Sequence, residues 1–177
     1  MVAITGASGS IYGIRLLQEL PGERILVMSK TAKSIITQET GMTLKQVEAL
    51  ADKVYEDDDL FASISSGSFK YDCLFVAPCS ESSVAKFATG ISDTLISRAV
   101  SVRIKEGRKV ILVVRETPKS SIMLENELKL AKCGVVIMDA NPGFYSEPKS
   151  LSDAINFVIG KCLDQADIDH KLYKRWE

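Results

Sequence analysis

The sequence contains few of the residues from which metal sites and hydrolytic nucleophiles are usually built. It has one histidine, His170, in a polar C-terminal segment, and its four cysteines form no C-x-x-C pair. A Cys/His zinc cluster is therefore not expected. A Ser–His or Cys–His hydrolase is not expected either, because its histidine must lie beside the nucleophile.

An excess of charge of one sign and long apolar runs are also absent. The chain has 22 basic and 23 acidic residues, a net charge of −1, which is not the pattern of a nucleic-acid or membrane surface. No apolar run approaches the ~18 residues of a transmembrane helix. The first apolar stretch lacks the basic region and cleavage site of a signal peptide. We therefore expect a cytoplasmic protein.

Apolar segments alternate with amphipathic segments along the 177 residues, a length typical of one domain. Near-continuous Val/Ile/Leu runs predict strands at Val2–Thr5, Arg24–Ser29, Cys73–Ala77, Lys109–Arg115 and Gly134–Met138. Helices are predicted at Ile11–Leu20, Thr31–Thr40, Ser80–Thr89, Ser92–Glu106, Ser121–Lys132 and Leu151–Asp164, with N-caps at Ser80, Ser92 and Ser150. This alternation predicts an α/β domain, 1–177, with a parallel sheet, helices on both faces and a C-terminal tail.

Residues 41–72 interrupt the alternation. Thr43–Asp52 has a helical pattern, and the acidic run Tyr55–Asp59 is interpreted as a solvated turn, with a metal site as the less favoured alternative. The Ser/Gly segment Ser63–Ser68 is predicted to be a loop that ends just before the next strand, where it is placed to cover a ligand.

A Gly-rich turn follows the first predicted strand and opens a helix. Its spacing is G-x-x-G-x-x-x-G, from Gly6 through Gly9 to Gly13, and not the G-x-G-x-x-G of dinucleotide-binding proteins. Backbone N–H groups at such a helix start favour an anion. Gly6 and Gly9 permit close approach of a ligand, and Ser8 offers a hydroxyl. A tight turn without a ligand remains the alternative.

Ligands of parallel sheets bind beyond the carboxyl ends of the strands. Among the residues that follow the predicted strands, Arg115 and Glu116 carry charge directly at a strand end. Arg98 and Lys105 are seven residues apart, hence on one face of a predicted helix, which is also the pattern of an ordinary solvated stripe. Together with the Gly-rich turn, these cations favour a ligand with phosphates, and Tyr145 is placed to contact a ring.

Several short motifs, in order from residue 2 to about residue 163, resemble the UbiX-type flavin prenyltransferases. They are Thr5-Gly6-Ala7-Ser8-Gly9, Ser29-Lys30, Glu39-Thr40, Pro78-Cys79-Ser80, Gly90-Ile91-Ser92-Asp93 with Arg98-Ala99, Val114-Arg115-Glu116-Thr117-Pro118, Leu124-Glu125-Asn126 and Pro142-Gly143-Phe144-Tyr145. The resemblance implies a Rossmann-like, flavodoxin-like sheet. It also implies a dodecamer with sites between subunits.

The resemblance further implies an activity. Members of the family bind FMN and join a dimethylallyl group from dimethylallyl phosphate to N5 and C6 of the reduced flavin, without a metal. The product, prenylated FMN, serves a UbiD-type decarboxylase. Some relatives are described as aromatic-acid decarboxylases.

Residue by residue, the resemblance assigns two sets of positions. The FMN-binding set is Gly6, Ala7, Ser8, Ser29, Cys79, Ser80, Glu81, Ser82 and Arg98. The prenyl-phosphate set is Glu39, Lys105, Arg115, Glu116 and Tyr145, with Trp176 as a nearby aromatic residue. Lys161 stands where the family usually has a phosphate-binding arginine; it keeps the charge but lacks the bidentate fork.

The residues suit the implied chemistry. Lys105, Arg115 and Lys161 are cations that stabilise a departing phosphate. Glu39 and Glu116 are the carboxylates available for proton transfer, and the phosphate itself is another base. Tyr145 and Trp176 provide an aromatic wall against allylic positive charge.

Parts of the sequence also fit three other functions. An NAD(P)-dependent reductase is suggested by Tyr145-x-x-x-Lys149, but Pro148 would break the helix that aligns the pair. A peptidyl- or pantothenoyl-cysteine decarboxylase uses a histidine after an early helix, and here no histidine precedes His170. A non-catalytic FMN-binding or flavin-delivery protein remains open, although the charged residues beyond the Gly-rich turn argue against it.

Overall fold

Six short strands pair into one parallel sheet in the computed structural model, which describes residues 1–176. The strands are β1 (Val2–Ile4), β2 (Ile25–Met28), β3 (Lys53–Glu56), β4 (Leu74–Cys79), β5 (Val110–Val114) and β6 (Val136–Asp139). Their order in the sheet is β3-β2-β1-β4-β5-β6. This is the order of the doubly wound Rossmann sheet, so the predicted fold class is confirmed.

Seven α-helices cover the two faces of this sheet. They are α1 (Ser10–Glu19), α2 (Lys30–Thr40), α3 (Leu44–Glu48), α4 (Glu81–Thr89), α5 (Leu95–Lys105), α6 (Ser121–Lys132) and α7 (Leu151–Gln165). Helices α1, α2, α3 and α7 bury their apolar residues on one face, and α4, α5 and α6 bury theirs on the other. The helices on both faces leave the loops at the carboxyl ends of the strands as the open edge of the domain.

The strands alternate their side chains between the two cores. In β1, Val2 and Ile4 belong to the core under α1 and α7, whereas Ala3 belongs to the core under α4 and α5. The same period of two runs through β2, β4 and β5, where the residues of both sets are almost completely buried. Each strand therefore reads as a continuous apolar run, which is the pattern that identified five of them.

Gly13 brings α1 onto the sheet. A Cβ atom at this position would lie 2.3 Å from the carbonyl oxygen of Ala77 and 2.7 Å from the Ile4 side chain. Only glycine permits this approach, so the third glycine of the Gly-rich turn serves helix packing.

Three predictions of helices and strands were wrong in detail. The acidic segment includes part of an edge strand, β3, that pairs with β2, although this strand is largely exposed and Val54 is its one aliphatic residue. Helix α5 begins at Leu95 with Thr94 as its N-cap, and not at Ser92, because Thr94 and Ser97 form a reciprocal capping box.

The helix predicted across Thr43–Asp52 is only the short α3. The predicted domain range of 1–177 includes Glu177, which lies outside the described residues. Within residues 1–176, no helix is both long and apolar enough to cross a membrane.

Candidate functional site

The turns after β1 and β4 are joined by one buried threonine. The Thr5 hydroxyl donates to the carbonyl oxygen of Pro78 at 2.9 Å, and the hydroxyl oxygen of Thr5 accepts from the N–H of Ser80 at 2.9 Å. Because β1 and β4 are neighbours whose connections turn in opposite directions along the sheet, a crevice opens between them. Thr5 therefore fixes the floor of the crevice where this fold binds ligands.

A cavity of about 410 Å³ lies in this crevice. Gly6, Ser29, Ser80 and Ser82 of the predicted FMN-binding set line it. The starts of α2 and α4, capped by Ser29 and Ser80, open onto it, and so does Thr94, the N-cap of α5. Three helix N-termini with hydroxyl side chains form a site for an anion such as a phosphate.

Glu39 occupies the helix start where the sequence predicted a ligand anion. Its carboxylate accepts from the N–H groups of Gly9 and Ser10, at 2.9 and 3.0 Å. Partial burial would raise the pKa of Glu39, but hydrogen bonds from the Ser8 side chain and the Gly9 and Ser10 backbone outweigh it and lower the pKa. The Glu39 carboxylate therefore already neutralises the partial positive charge at the start of α1. The starts of α2 and α4 are more favourable places for a phosphate.

The glycines of the turn serve the fold more directly than a ligand. A Cβ atom on Gly6 would lie 2.7 Å from the methyl group of Thr31. Gly9 has a φ of 104°, which L-amino acids rarely adopt, and a Cβ atom there would lie 2.9 Å from the Tyr12 ring. The expectation that these glycines open space for a ligand is therefore incomplete, because neighbouring side chains fill that space.

Arg115 and Glu116 lie on the other side of the same turn. The Nε atom of Arg115 donates to the carbonyl oxygen of Ser8 at 3.2 Å, and its Nη1 atom is 4.0 Å from the Glu116 carboxylate. The structure thus brings Ser8, Glu39, Arg115 and Glu116 together around the Gly-rich turn. A backbone carbonyl thus holds Arg115 at the edge of the turn.

Other members of the predicted FMN-binding set lie outside the cavity lining. Ala7 is buried and Ser8 is exposed. The Cys79 thiol is fully buried, and burial raises its pKa, so this side chain does not face a ligand. Glu81 accepts from the Ser120 hydroxyl, and Arg98 donates to the carbonyl oxygen of Ser65 in the Ser/Gly loop.

Lys105 is separated from the cavity by the length of the sheet. It is the last residue of α5, five residues before β5 begins, whereas Arg115 follows the end of β5. Its side chain is 68% exposed and pairs with Glu106 at 3.0 Å. A strand of five residues spans ~17 Å, so one chain cannot bring Lys105 and Arg115 to the same phosphate.

The three residues assigned to substrate binding near the C-terminus fall into one region. The Tyr145 ring meets the Trp176 ring edge-on with centroids 5.7 Å apart, and it meets Phe157 of α7 at 5.6 Å. Lys161 lies one turn further along α7, with its ammonium 3.6 Å from Asp164. Between Tyr145 and Lys149 the chain forms a short 3₁₀ turn and a left-handed residue, so the reductase geometry is absent there.

Comparison with known proteins identifies the family. The sequence profile of the flavoprotein family matches residues 1–174. A flavin prenyltransferase UbiX from Thermoplasma acidophilum is 45% identical over 177 residues, which cover 99% of this chain and 98% of the relative. The chain belongs to the UbiX-type flavin prenyltransferases of the flavoprotein family.

Two crystal structures of the family have the same fold. AnUbiX, in complex with FMN and dimethylallyl pyrophosphate, gives a TM-score of 0.97 at 42% identity, with 99% of this chain and 95% of that chain covered. A dodecameric FMN-dependent UbiX-like decarboxylase from Escherichia coli O157:H7 gives a TM-score of 0.95 at 42% identity, with 100% of both chains covered. The expected relationship to UbiX-type enzymes is confirmed.

Sequence reasoning missed several residues of the cavity in this flavin prenyltransferase family member. Asp57, just after β3, lines the cavity and caps α5: its carboxylate accepts from the Ile96 N–H at 2.9 Å. Burial raises the pKa of Asp57 despite that hydrogen bond. Lys30, Thr31 and Lys86 line the same cavity. Asp57 directly follows strand β3, and this position would have marked it as a site residue. Because the sequence analysis predicted a turn there instead of a strand, Asp57 was not recognised.

The acidic run Tyr55–Asp59 has a metal site as its alternative interpretation. Within residues 1–176, no group of three or more His, Cys, Asp or Glu side chains is placed to hold a metal ion. In this structure Asp57 of that run interacts with a helix N-terminus instead.

We expect Glu39→Gln to slow prenyl transfer by a factor of about 10²–10⁴, the usual range for general acid–base catalysis, while FMN stays bound. Glutamine keeps one acceptor for the Gly9 and Ser10 N–H groups but has no charge and accepts no proton. Because the folded-state pKa of Glu39 is lowered, its acid limb in the wild-type pH–rate profile lies below the ordinary glutamate value.

Single-turnover rates from about pH 3 to about pH 8, a range that extends below the ordinary carboxylate pKa values near 4, check this expectation. Glu23→Gln, an exposed carboxylate paired with Lys53, is the matched control. Equal rates for wild type and Glu39→Gln would remove Glu39 from proton transfer and leave it as a helix cap.

Proposed function

We propose that this chain joins a dimethylallyl group from dimethylallyl phosphate to N5 and C6 of reduced FMN. The product, prenylated FMN, is passed to a UbiD-type decarboxylase. The observation that carries the proposal is the cavity at the β1/β4 crevice, which helix N-termini line for a phosphate. Arg115 is fixed on the other side of the Gly-rich turn that borders this cavity. The membership of the chain in the UbiX-type family supports this reaction.

FMN is the cofactor and the prenyl acceptor. The hydroxyl groups of Ser29, Ser80 and Ser82 and the starts of α2 and α4 fit its phosphate, since each cap oxygen still carries a proton to donate. When bound in reduced form, FMN supplies the nucleophilic atoms of the reaction. Gly6, Ala7 and Ser8 of the turn, Cys79 and Glu81 after β4, and Arg98 are proposed as its further neighbours.

The prenyl phosphate is proposed to bind beside Arg115. Arg115 stabilises the charge that grows on the departing phosphate. Lys105 and Lys161 do so from neighbouring subunits, because both lie toward the amino edge of the sheet in their own chain. Tyr145 and Trp176 shield the allylic group from water and present their faces to its positive charge. Glu39 and Glu116 hold or accept the proton that ring closure releases.

The proposed working unit is a homo-oligomer of single-domain chains, a dodecamer like the UbiX-like decarboxylase of E. coli O157:H7. The placement of Lys105 supports a site shared between chains, because only a neighbour can bring it to Arg115. We propose a cytoplasmic location, which the four free cysteines support.

The enzyme is distinguished from a flavin carrier by its second product. Incubation of the purified protein with reduced FMN and dimethylallyl phosphate should release inorganic phosphate, whereas a carrier binds FMN and releases none. A yellow preparation that contains FMN distinguishes both from an NAD(P)-dependent reductase. Phosphate release that needs no reduced flavin would contradict the proposed reaction.

Introducing a carboxylate into the cavity tests where the flavin phosphate binds. Ser82 lies in the first turn of α4 and lines the cavity, so Ser82→Asp places a negative charge beside the proposed phosphate. We expect FMN to bind about 100-fold more weakly, because like charges close together in a partly buried site repel strongly. Titration of FMN fluorescence measures the dissociation constant.

Two further variants complete this experiment. Ser121→Asp makes the same change in the first turn of α6, outside the cavity lining, and should leave FMN binding unchanged. Ser8→Asp should weaken FMN binding less than Ser82→Asp, because Glu39 already neutralises the start of α1. The reverse order would move the phosphate to the Gly-rich turn.

A further inference from the structure

The C-terminal tail, residues 166–176, folds back along α7. It passes over Gly160, where a Cβ atom would lie 2.5 Å from the Tyr173 ring and 2.6 Å from the His170 ring. Tyr173 also packs on Phe157, with ring centroids 4.9 Å apart. The surface of α7 is thus shaped to receive the tail in one position.

Asp164, near the end of α7, is the polar centre of this contact. Its carboxylate accepts from the Tyr173 hydroxyl and, at 2.8 Å, from Nη2 of Arg175, and it lies 3.1 Å from Nε2 of His170. Partial burial would raise its pKa, but these hydrogen bonds outweigh it and lower the pKa to about 2. The carboxylate is therefore ionised, and held by the tail, at any physiological pH.

The same carboxylate connects two residues proposed to bind the prenyl phosphate. On one side it is 3.6 Å from the ammonium of Lys161. On the other side it holds Arg175, the residue before Trp176, whose ring packs against Tyr145. Trp176 is 80% exposed, so contacts of the indole ring alone do little to hold it there.

We infer that Asp164 is a positioning residue of the prenyl-phosphate site: it fastens the tail so that Trp176 lies against Tyr145, and it fixes the ammonium of Lys161. The inference rests on the proposed function. It treats the tail as part of the site, held by a carboxylate that does not touch the substrate.

A different role for Asp164 would have the opposite effect. If the carboxylate only neutralised Lys161, its removal would free a cation for the phosphate and lower the KM for dimethylallyl phosphate. If it positions the tail and Lys161, its removal raises that KM. The sign of the change distinguishes the two roles.

The experiment uses the full-length, FMN-loaded protein and the variant Asp164→Asn. Trp176 is the sole tryptophan of the chain, so the anisotropy decay of its fluorescence reports tail motion without any contribution from another indole. We expect faster local depolarisation of Trp176, a KM for dimethylallyl phosphate raised about tenfold, and unchanged affinity for FMN.

A second variant and a control ensure that the conclusion does not depend on Asp164→Asn alone. Gly160→Ala leaves Asp164 intact but places a methyl group against Tyr173 and His170, so it should reproduce both effects. Asp167→Asn changes a tail carboxylate that pairs with Lys109 instead, and should reproduce neither.

Depolarisation of Trp176 that is unchanged in both Asp164→Asn and Gly160→Ala would overturn the inference. So would a freed Trp176 with an unchanged or lowered KM. A wild-type protein that releases no phosphate contradicts the proposed function instead, and the anisotropy measurement still decides whether Asp164 fastens the tail.

Discussion

Arg115→Ala should slow prenyl transfer by a factor of about 10²–10³ while FMN remains bound, as is typical when one preorganised electrostatic contact is lost. Arg115 is half-buried and donates to the Ser8 carbonyl, so the protein itself holds its guanidinium in position. Arg115→Lys keeps the charge but loses the two parallel N–H donors of the guanidinium, so its rate of prenyl transfer should lie between those of wild type and Arg115→Ala.

Lys105→Ala should cause a loss of similar size, although Lys105 lies at the opposite edge of the sheet. In the proposed oligomer it serves the site of a neighbouring chain. Each variant alone should therefore be nearly inactive, whereas oligomers that contain both kinds of subunit should regain activity. Random mixing in equal amounts gives about a quarter of the sites both wild-type residues, because each site draws one from each of two chains.

The measurement is the flavin mass and absorbance after a single turnover, in oligomers co-expressed with two different tags and purified through both. No recovery in the mixed oligomers would contradict a shared site, as would a catalytically active monomer in light scattering. Full-rate product formation by Lys105→Ala alone would remove Lys105 from the reaction.

Arg103→Met should cause the largest loss of stability, about 3–5 kcal/mol of unfolding free energy. Arg103 is 1% exposed, yet its guanidinium donates to three carbonyl oxygens, those of Tyr71, Asp72 and Lys109, at 2.7, 2.8 and 2.9 Å. It also lies 4.4 Å over the Tyr71 ring. Methionine fills similar space but leaves the three acceptors without a partner.

Urea denaturation at fixed protomer concentration measures this loss. Arg24→Met is the matched control, because Arg24 forms an exposed pair with Asp52 that contributes less than about 1 kcal/mol. Arg103 lies at the amino edge of the sheet, so the folded variant should still bind FMN. Equal stability of the two variants would show that the buried guanidinium is dispensable.

The fold could be predicted where the strands are buried on both faces. Strands β1, β2, β4 and β5 have continuous apolar runs, because helices cover both sides of them. The edge strand β6 was recognised from Val136, Ile137 and Met138, which are half-buried. Strand β3 was not predicted because it is an edge strand. Its Lys53 and Glu56 face solvent, so its sequence has the composition of a turn. Its partner β2, rather than its own composition, makes it a strand.

The site could be predicted only as far as its local motifs. The caps Ser29 and Ser80 follow strands directly, so their place at the carboxyl edge could be read from the sequence. The hydrogen bond from the Gly9 N–H to the Glu39 carboxylate joins residues 30 positions apart, so no local sequence pattern predicts it. The pairing of Trp176 with Tyr145 likewise depends on a tail that folds back through Asp164.

The most direct test of the flavin prenyltransferase assignment is the mass of the flavin after the purified protein is incubated with dimethylallyl phosphate, FMN and a reductant. We expect a flavin heavier by one five-carbon unit, formed together with inorganic phosphate. We expect no such product when either dimethylallyl phosphate or the reductant is omitted. Recovery of unmodified FMN, bound at the cavity but unchanged in mass, would contradict the assignment and identify the protein as a flavin carrier.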